Sequence, residues 1–360
     1  MGVNTVSGAI SRDRLGVVAP HEHILLDLSN QFNEPDEVSR KAVSYEKVQM
    51  KHLGLLRRNP LALRDNLIIN DPELAEKEIM EFRKAGGGTI VDVTNLGLGR
   101  DPEALFGFSA ATGLNIVMGS GYYYAATHPA DMDGRSAEAI AEEIVADILT
   151  GVGYRKIKAG VIGEIAVSET MRPNERKVIK AAAMAQRRTG AGVQLHIFDW
   201  PVGGARYPLG LEAISIYDKA GGDLTKLSVN HMDVKMDVDM EYCLEVAKSG
   251  AYLEFDNFGH EFYVDIYERK FLPGPFETDI NRVRAIRRLF DAGYADRILL
   301  SCDICHKNLL CAYGGWGYAH ILNHIVPMFM DEGFNEDEIE LMTKRNPANF
   351  LDSEKISPNS

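Results

Sequence analysis

The chain has 360 residues, 45% of them hydrophobic and 25% charged, enough for one large α/β barrel or two average domains. Its 39 basic and 52 acidic side chains leave a formal charge of -13, which argues against nucleic acid or an anionic membrane as partner. No run approaches the roughly 20 apolar residues that span a bilayer, residues 1–7 carry no signal-like pattern, and four cysteines make no disulfide framework. The expectation is a cytoplasmic protein acting on a small molecule.

In chain order, short β-branched runs predict strands at 16–20, 89–94, 115–119, 160–165, 193–197, 227–231, 251–256 and 297–303. Several are nearly continuous in Val, Ile and Leu, the pattern of parallel strands buried on both faces. Helices are predicted between them. Asp71-Pro72-Glu73 and Asp101-Pro102-Glu103 read as N-caps followed by proline, with Gly86-Gly87-Gly88 and Gly113 as the exits. Ile140, Ile144, Val145 and Ile148 form one apolar stripe. Val283, Ile286, Leu289 and Phe290 form another, ended by Gly293. Eight βα units predict a single (β/α)8 TIM barrel domain over residues 1–360, with a core at about 12–352 and a short N-terminal β segment. The stretches 24–70 and 257–280 exceed normal βα connections and are expected to be extended loops over the barrel mouth.

The chemistry gathers at strand ends. In an extended segment residues i and i+2 face the same way, so His21 and His23 can both point into the mouth while Glu22 points elsewhere. That pair alone carries little weight. Glu164 closes the fourth predicted strand, His196 the fifth, His231 the sixth and Asp303 the eighth, all on the face where barrel enzymes keep their active sites. Four imidazoles and two carboxylates make a nitrogen/oxygen site suited to zinc, with manganese, cobalt or iron as alternatives. Six ligands are too many for one catalytic ion that keeps an open position, so two divalent metal ions are expected, one carboxylate bridging them.

The order His-x-His on strand one, an acidic ligand on strand four, His on strands five and six and Asp on strand eight resembles the phosphotriesterase family of the amidohydrolase superfamily. Matching segments run through the whole chain: Gly119-Ser120-Gly121-Tyr122-Tyr123 with His128-Pro129, Gly163-Glu164-Ile165, Ser301-Cys302-Asp303-Ile304-Cys305, Gly314-Gly315-Trp316-Gly317-Tyr318 and Asn346-Pro347. The resemblance implies that His21, His23 and Asp303 hold the more buried metal and His196 and His231 the more exposed one. It also aligns Tyr123 with a family tyrosine near the bridging hydroxide; packing under a loop is an equally good reading of that residue. The best-known members bridge the metals with a carboxylated lysine. Here Lys158 falls six residues, roughly 20 Å, before Glu164, and Glu164 takes the bridging place, as in the glutamate-bridged subgroup.

Two cations sharing one water would supply hydroxide near neutral pH, with Asp303 positioned to take its proton and pass it to the leaving group. The expected substrate is a small lactone, including sugar lactones, or a related carboxylic ester. The alternatives are an N-acyl amide, phosphotriester hydrolysis as a weak side activity, and a catalytically silent binding barrel. A homodimer is expected.

Other motifs are set aside. Cys302-Asp303-Ile304-Cys305-His306 matches the haem-attachment pattern, but buried free thiols are the better expectation. His128, His260 and His306, on loops of the C-terminal face, could touch substrate, with surface or packing roles the better expectation, and Arg100 either binds an anion or pairs locally. The Gly-x-Gly runs at Gly97, Gly119 and Gly314 lack the strand–GxGxxG–helix context. Substrate choice is expected to lie with the loops at 24–70, 199–208 and 257–280.

Overall fold

The computed structural model describes residues 2–197, 209–234, 238–264 and 274–353. An antiparallel hairpin of β1 (Val3–Thr5) and β2 (Gly8–Ile10) precedes β3 (Val17–Glu22), the first barrel strand. The excursion that follows carries β4 (Leu26–Asp27) paired antiparallel to β5 (Ile68–Ile69), with α1 (Val38–Ser44) and α2 (Leu53–Leu56) between them. Strands β6 (Gly87–Asp92), β7 (Asn115–Ser120), β8 (Val161–Val167), β9 (Gly192–Ile197), β10 (Leu227–Val229), β11 (Tyr252–Phe255) and β12 (Ile298–Leu300) then alternate with helices. These helices are α3 (Pro72–Lys84), α4 (Pro102–Thr112), α5 (Ala137–Leu149), α6 (Pro173–Thr189), α7 (Leu209–Lys219), α8 (Met240–Lys248) and α9 (Asp279–Asp291). Three short helices, α10 (Val326–Asp331), α11 (Glu336–Glu340) and α12 (Asn346–Leu351), come last among the described residues.

The eight barrel strands form one sheet in the order β12-β11-β10-β9-β8-β7-β6-β3, every pair parallel, so all their C-terminal ends share a face. This is the expected (β/α)8 barrel, with its seam between β3 and β12. Side chains rather than a backbone ladder hold that seam among the described residues. The Ser301 hydroxyl accepts from His21 N at 3.1 Å and lies 2.7 Å from His21 O and 2.8 Å from Glu22 Oε1. The Glu22 carboxylate also accepts Cys302 N and Ile304 N, each at 2.9 Å. Burial pushes Glu22 up to about 7, against the pull of those two N–H groups. The residue between the two predicted ligands is therefore a clasp for the barrel.

Local signals act as read. Asp71 accepts Leu74 N at 3.1 Å and Asp101 accepts Ala104 N at 3.0 Å, each ahead of a proline at the helix start. The stripe Ile140, Ile144, Val145 and Ile148 is buried. On α9, Val283, Ile286 and Leu289 are buried and Phe290 packs half-buried beside them. Burying each such side chain contributes about 1.5–3 kcal/mol, so one aspartate at Ile144 would destabilise the packing of α5. The glycine run is a partial correction. Gly87 and Gly88 belong to β6 rather than to the helix exit, because a Cβ on Gly88 would stand 2.3 Å from Leu15 O on the approach to β3.

Candidate metal centre

Each ligand candidate reaches the mouth by a local device. His21 lies in β3 and His23 just beyond it, both buried. Glu164 sits inside β8, which runs on to Val167, where the register with β9 slips between Ile162 and Ile165. His196 is in β9. Strands β10 and β12 end earlier than predicted, at Val229 and Leu300, and His231 and Asp303 follow in left-handed backbone with φ of 60° and 46°. That conformation is uncommon for residues with a Cβ and clusters at functional sites.

The six side chains converge. Glu164 Oε1 lies 3.3 Å from His21 Nε2, 2.6 Å from His196 Nδ1 and 3.5 Å from His231 Nε2, and Oε2 lies 4.0 Å from His23 Nε2. Asp303 Oδ1 lies 3.4 Å from His23 Nε2 and 3.7 Å from His21 Nε2. Two triads, His21/His23/Asp303 and Glu164/His196/His231, each place one ligand atom per residue within 4.8 Å of the others. The donors fit a cation better than one another. His21 Nε2 and Asp303 Oδ1 are buried with no hydrogen-bond partner among the described residues, and His196 Nδ1 faces His231 Nε2 at 2.7 Å. These nitrogen and oxygen donors suit zinc and its neighbours.

A surrounding layer fixes which ring nitrogen faces inward. His23 Nδ1 lies 2.8 Å from Thr94 Oγ1, and His231 Nδ1 lies 2.9 Å from Asp256 Oδ1. His21 Nδ1 lies 2.5 Å from the Asn230 amide and 3.4 Å from Asp256 Oδ2. The Asn230 amide in turn donates to Glu254, whose carboxyl is pushed up to about 8, chiefly by burial. Sequence reading passed over Asp256, Asn230 and Glu254. A carboxylate closing the seventh predicted strand, at Asp256, was the available signal.

The acidic field draws positive charge in. Burial alone would lower His21, but Glu164, Asp256 and Asp303 raise it to about 10, and His231 rises well above its ordinary value through Asp256 and Glu164. Burial works against ionised Glu164 as well, yet His196 and His21 hold that carboxyl well below the usual range. Burial dominates at His196 and lowers it.

The centre opens into a small cleft of about 90 Å³. Tyr123 lines it with Oη 3.4 Å from His196 Nε2, and burial raises its hydroxyl well above the ordinary value. His260 and His306 also line it, where packing or surface roles were expected; burial lowers both, His306 to about 3. Apolar walls come from Leu28, Leu61, Leu98, Phe262 and Phe276. Among the described lining residues there is no lysine or arginine. An adjoining cleft shares Gln31 and Leu61 with this one, and there Arg172 stands beside Ser168, Glu169 and Thr170.

Other candidates fall elsewhere. Arg100 pairs locally: its buried guanidinium donates to Asp147 at 2.8 Å and to Gly119 O at 3.1 Å. His128 lies 2.8 Å from Tyr123 O. Lys158 precedes β8 and lines a groove with the N-terminal hairpin, at the far end from the centre. Cys302 and Cys305 are buried free thiols, raised by burial. Residues 199–208, and 265–273 of the 257–280 stretch, lie outside the described residues.

A profile described as the phosphotriesterase family matches residues 1–351. The chain is 36% identical over 351 residues to the N-acetyltaurine hydrolase of Bos taurus, covering 97% of each chain. Among solved structures, a resiniferatoxin-binding protein from Rhodobacter sphaeroides is 35% identical with a TM-score of 0.91, over 98% of this chain and 95% of that one. A lactonase from Listeria monocytogenes is 25% identical with a TM-score of 0.74, over 99% and 100%.

Proposed function

We propose that this chain, which belongs to the phosphotriesterase family and is a metal-dependent hydrolase, cleaves the acyl bond of a small N-acyl compound at a two-metal centre. The observation that carries this reading is the pair of triads joined through Glu164. His21, His23 and Asp303 would hold one ion, His196 and His231 the other, and Glu164 would bridge them, with zinc the best match to the donors and manganese, cobalt or iron compatible. Bound cations supply Lewis acidity toward water and the scissile carbonyl.

The chain's own groups do the rest. Asp303, whose Oδ1 lines the cleft without a hydrogen-bond partner among the described residues, accepts the proton of the attacking water and returns it to the departing amine. Tyr123, kept protonated by burial, offers its O–H toward the acyl oxygen as charge develops there. The apolar walls exclude bulk water from the reacting groups. Arg172, with no carboxylate paired to it among the described residues, offers the adjoining cleft a cation for an anionic end of the leaving amine.

The amide reading is placed ahead of the lactone because the relatives named N-acetyltaurine hydrolase are 34–36% identical along nearly the whole chain, whereas the lactonase named above is 25% identical. Lactone hydrolysis, the first expectation from sequence, stays as the second reading, since the same centre serves either acyl bond. The test presents zinc-loaded protein with N-acetyl amines, with and without an anionic terminus, and with matched lactones. Amine release is followed by a fluorogenic reagent and acid release by a pH indicator. Metal-dependent amine release supports the proposal. Acid release from lactones with no amine from any amide moves the lactone reading to first place.

A further inference from the structure

Arg282 on α9 is fully buried, an expensive place for a cation unless its surroundings use it. Its fork reaches three neighbours. Nη1 donates to Asp279 Oδ1 at 2.7 Å, Nη2 donates to His260 O at 3.3 Å, and Nε lies 3.0 Å from Asp233 Oδ2 in an ion pair without hydrogen-bond alignment. Each contact leads toward the segment that follows β11. Asp233 accepts Asn257 N at 3.1 Å and Asn257 Nδ2 at 3.0 Å, and that same amide donates to Asp256 Oδ1 at 2.7 Å. Asp256 stands beside His231 Nδ1 and His21 Nδ1. On the other branch, Asp279 Oδ1 accepts Gly259 N at 3.0 Å, and His260 Nε2 lies 3.0 Å from Asp303 O, at a residue whose backbone is left-handed.

We infer that Arg282 is a positioning residue for the metal centre: one guanidinium, touching no ligand, fixes the orientation of His21, His231 and Asp303 by clamping residues 256–260 between Asp233 and Asp279. The inference rests on reading those three residues as metal ligands. A planar fork is what the arrangement needs. Arginine presents several donors in fixed directions, whereas lysine carries the same charge on a single ammonium and cannot hold Asp233, Asp279 and the His260 carbonyl at their present separations. A network linked this way fails as a unit, because a shift of Asp233 frees the Asn257 amide and through it Asp256.

The test is zinc affinity, measured on folded protein by competition with a chromogenic chelator, for wild type, Arg282→Lys and Leu289→Ala. Leu289 is buried on the same helix and belongs to no part of the network, so its variant reports what simple destabilisation of α9 does. The expected result is a loss of about tenfold or more in zinc affinity for Arg282→Lys, with Leu289→Ala binding as wild type even where its Tm has fallen further. The double variant Arg282→Met/Asp233→Asn, which removes the cation and its partner charge together, should fold and still bind zinc weakly. Equal zinc affinity in wild type and Arg282→Lys overturns the inference. Failure of the wild type to take up two zinc ions would instead overturn the ligand reading itself.

Discussion

His231 Nδ1 lies 2.9 Å from Asp256 Oδ1, and the other oxygen of that carboxylate lies 3.4 Å from His21 Nδ1, so one buried aspartate orients a histidine from each triad. Replacing it with asparagine keeps the shape but removes the charge that directs both rings. Asp256→Asn should weaken zinc binding by about 10–100-fold, the usual effect of losing an outer partner of a ligating histidine. Chelator competition measures this, and an affinity within twofold of wild type would show that the rings hold themselves.

Glu22 makes a separate prediction, about the barrel rather than the chemistry. Its carboxylate accepts two backbone N–H groups across the β3–β12 seam and meets the Ser301 hydroxyl there. Glu22→Ala leaves those donors buried without acceptors, a cost of about 3 kcal/mol. Urea unfolding of metal-free wild type and variant reads that cost without interference from bound ions.

Arg172 tests substrate choice. It is the cation of the cleft that adjoins the metal centre among the described lining residues. Arg172→Met should raise KM about tenfold for an N-acyl compound ending in carboxylate or sulfonate, a loss typical of one charge-assisted contact. The ratio of kcat/KM between that compound and its uncharged analogue should fall by the same factor. An unchanged ratio would place the anionic end elsewhere.

Asp65 predicts a pH effect on stability. Its carboxylate holds Lys307 Nζ at 2.8 Å and Lys47 Nζ at 2.7 Å, tying the β4–β5 excursion to the segment after β12. Burial would raise this carboxyl, but the two ammonium groups hold it below the usual aspartate range. A depressed folded-state pKa stabilises the protein above the unfolded value, about 3.9, and that contribution is lost as pH falls through the folded value. The Tm difference between wild type and Asp65→Asn should therefore be present at pH 6 and close below about pH 4. A gap that does not narrow as pH falls below about 4 would mean that hydrogen bonding, not charge, carries the contact.

The barrel was legible because its signals are local: β-branched runs for the strands, Asp-Pro starts and apolar stripes for the helices. The convergence of His21, His23, Glu164, His196, His231 and Asp303 followed from one topological rule, that parallel strands share a C-terminal face. What escaped depends on contacts between distant segments. Glu22 looked idle because its partners lie some 280 residues away at Ser301, Cys302 and Ile304. Arg100 stayed open between an anion site and local pairing because Asp147, its partner, is 47 residues on. Strand ends at His231 and Asp303 were misplaced because the left-handed turns there follow from the site's geometry rather than from local propensity.

The central claim is tested most directly by adding zinc stepwise to chelator-stripped protein while following amine release from an N-acetyl compound with an anionic terminus. The account predicts turnover that rises to a plateau at two equivalents of zinc and is absent without it. Full turnover at one equivalent, or none at any occupancy, would contradict it.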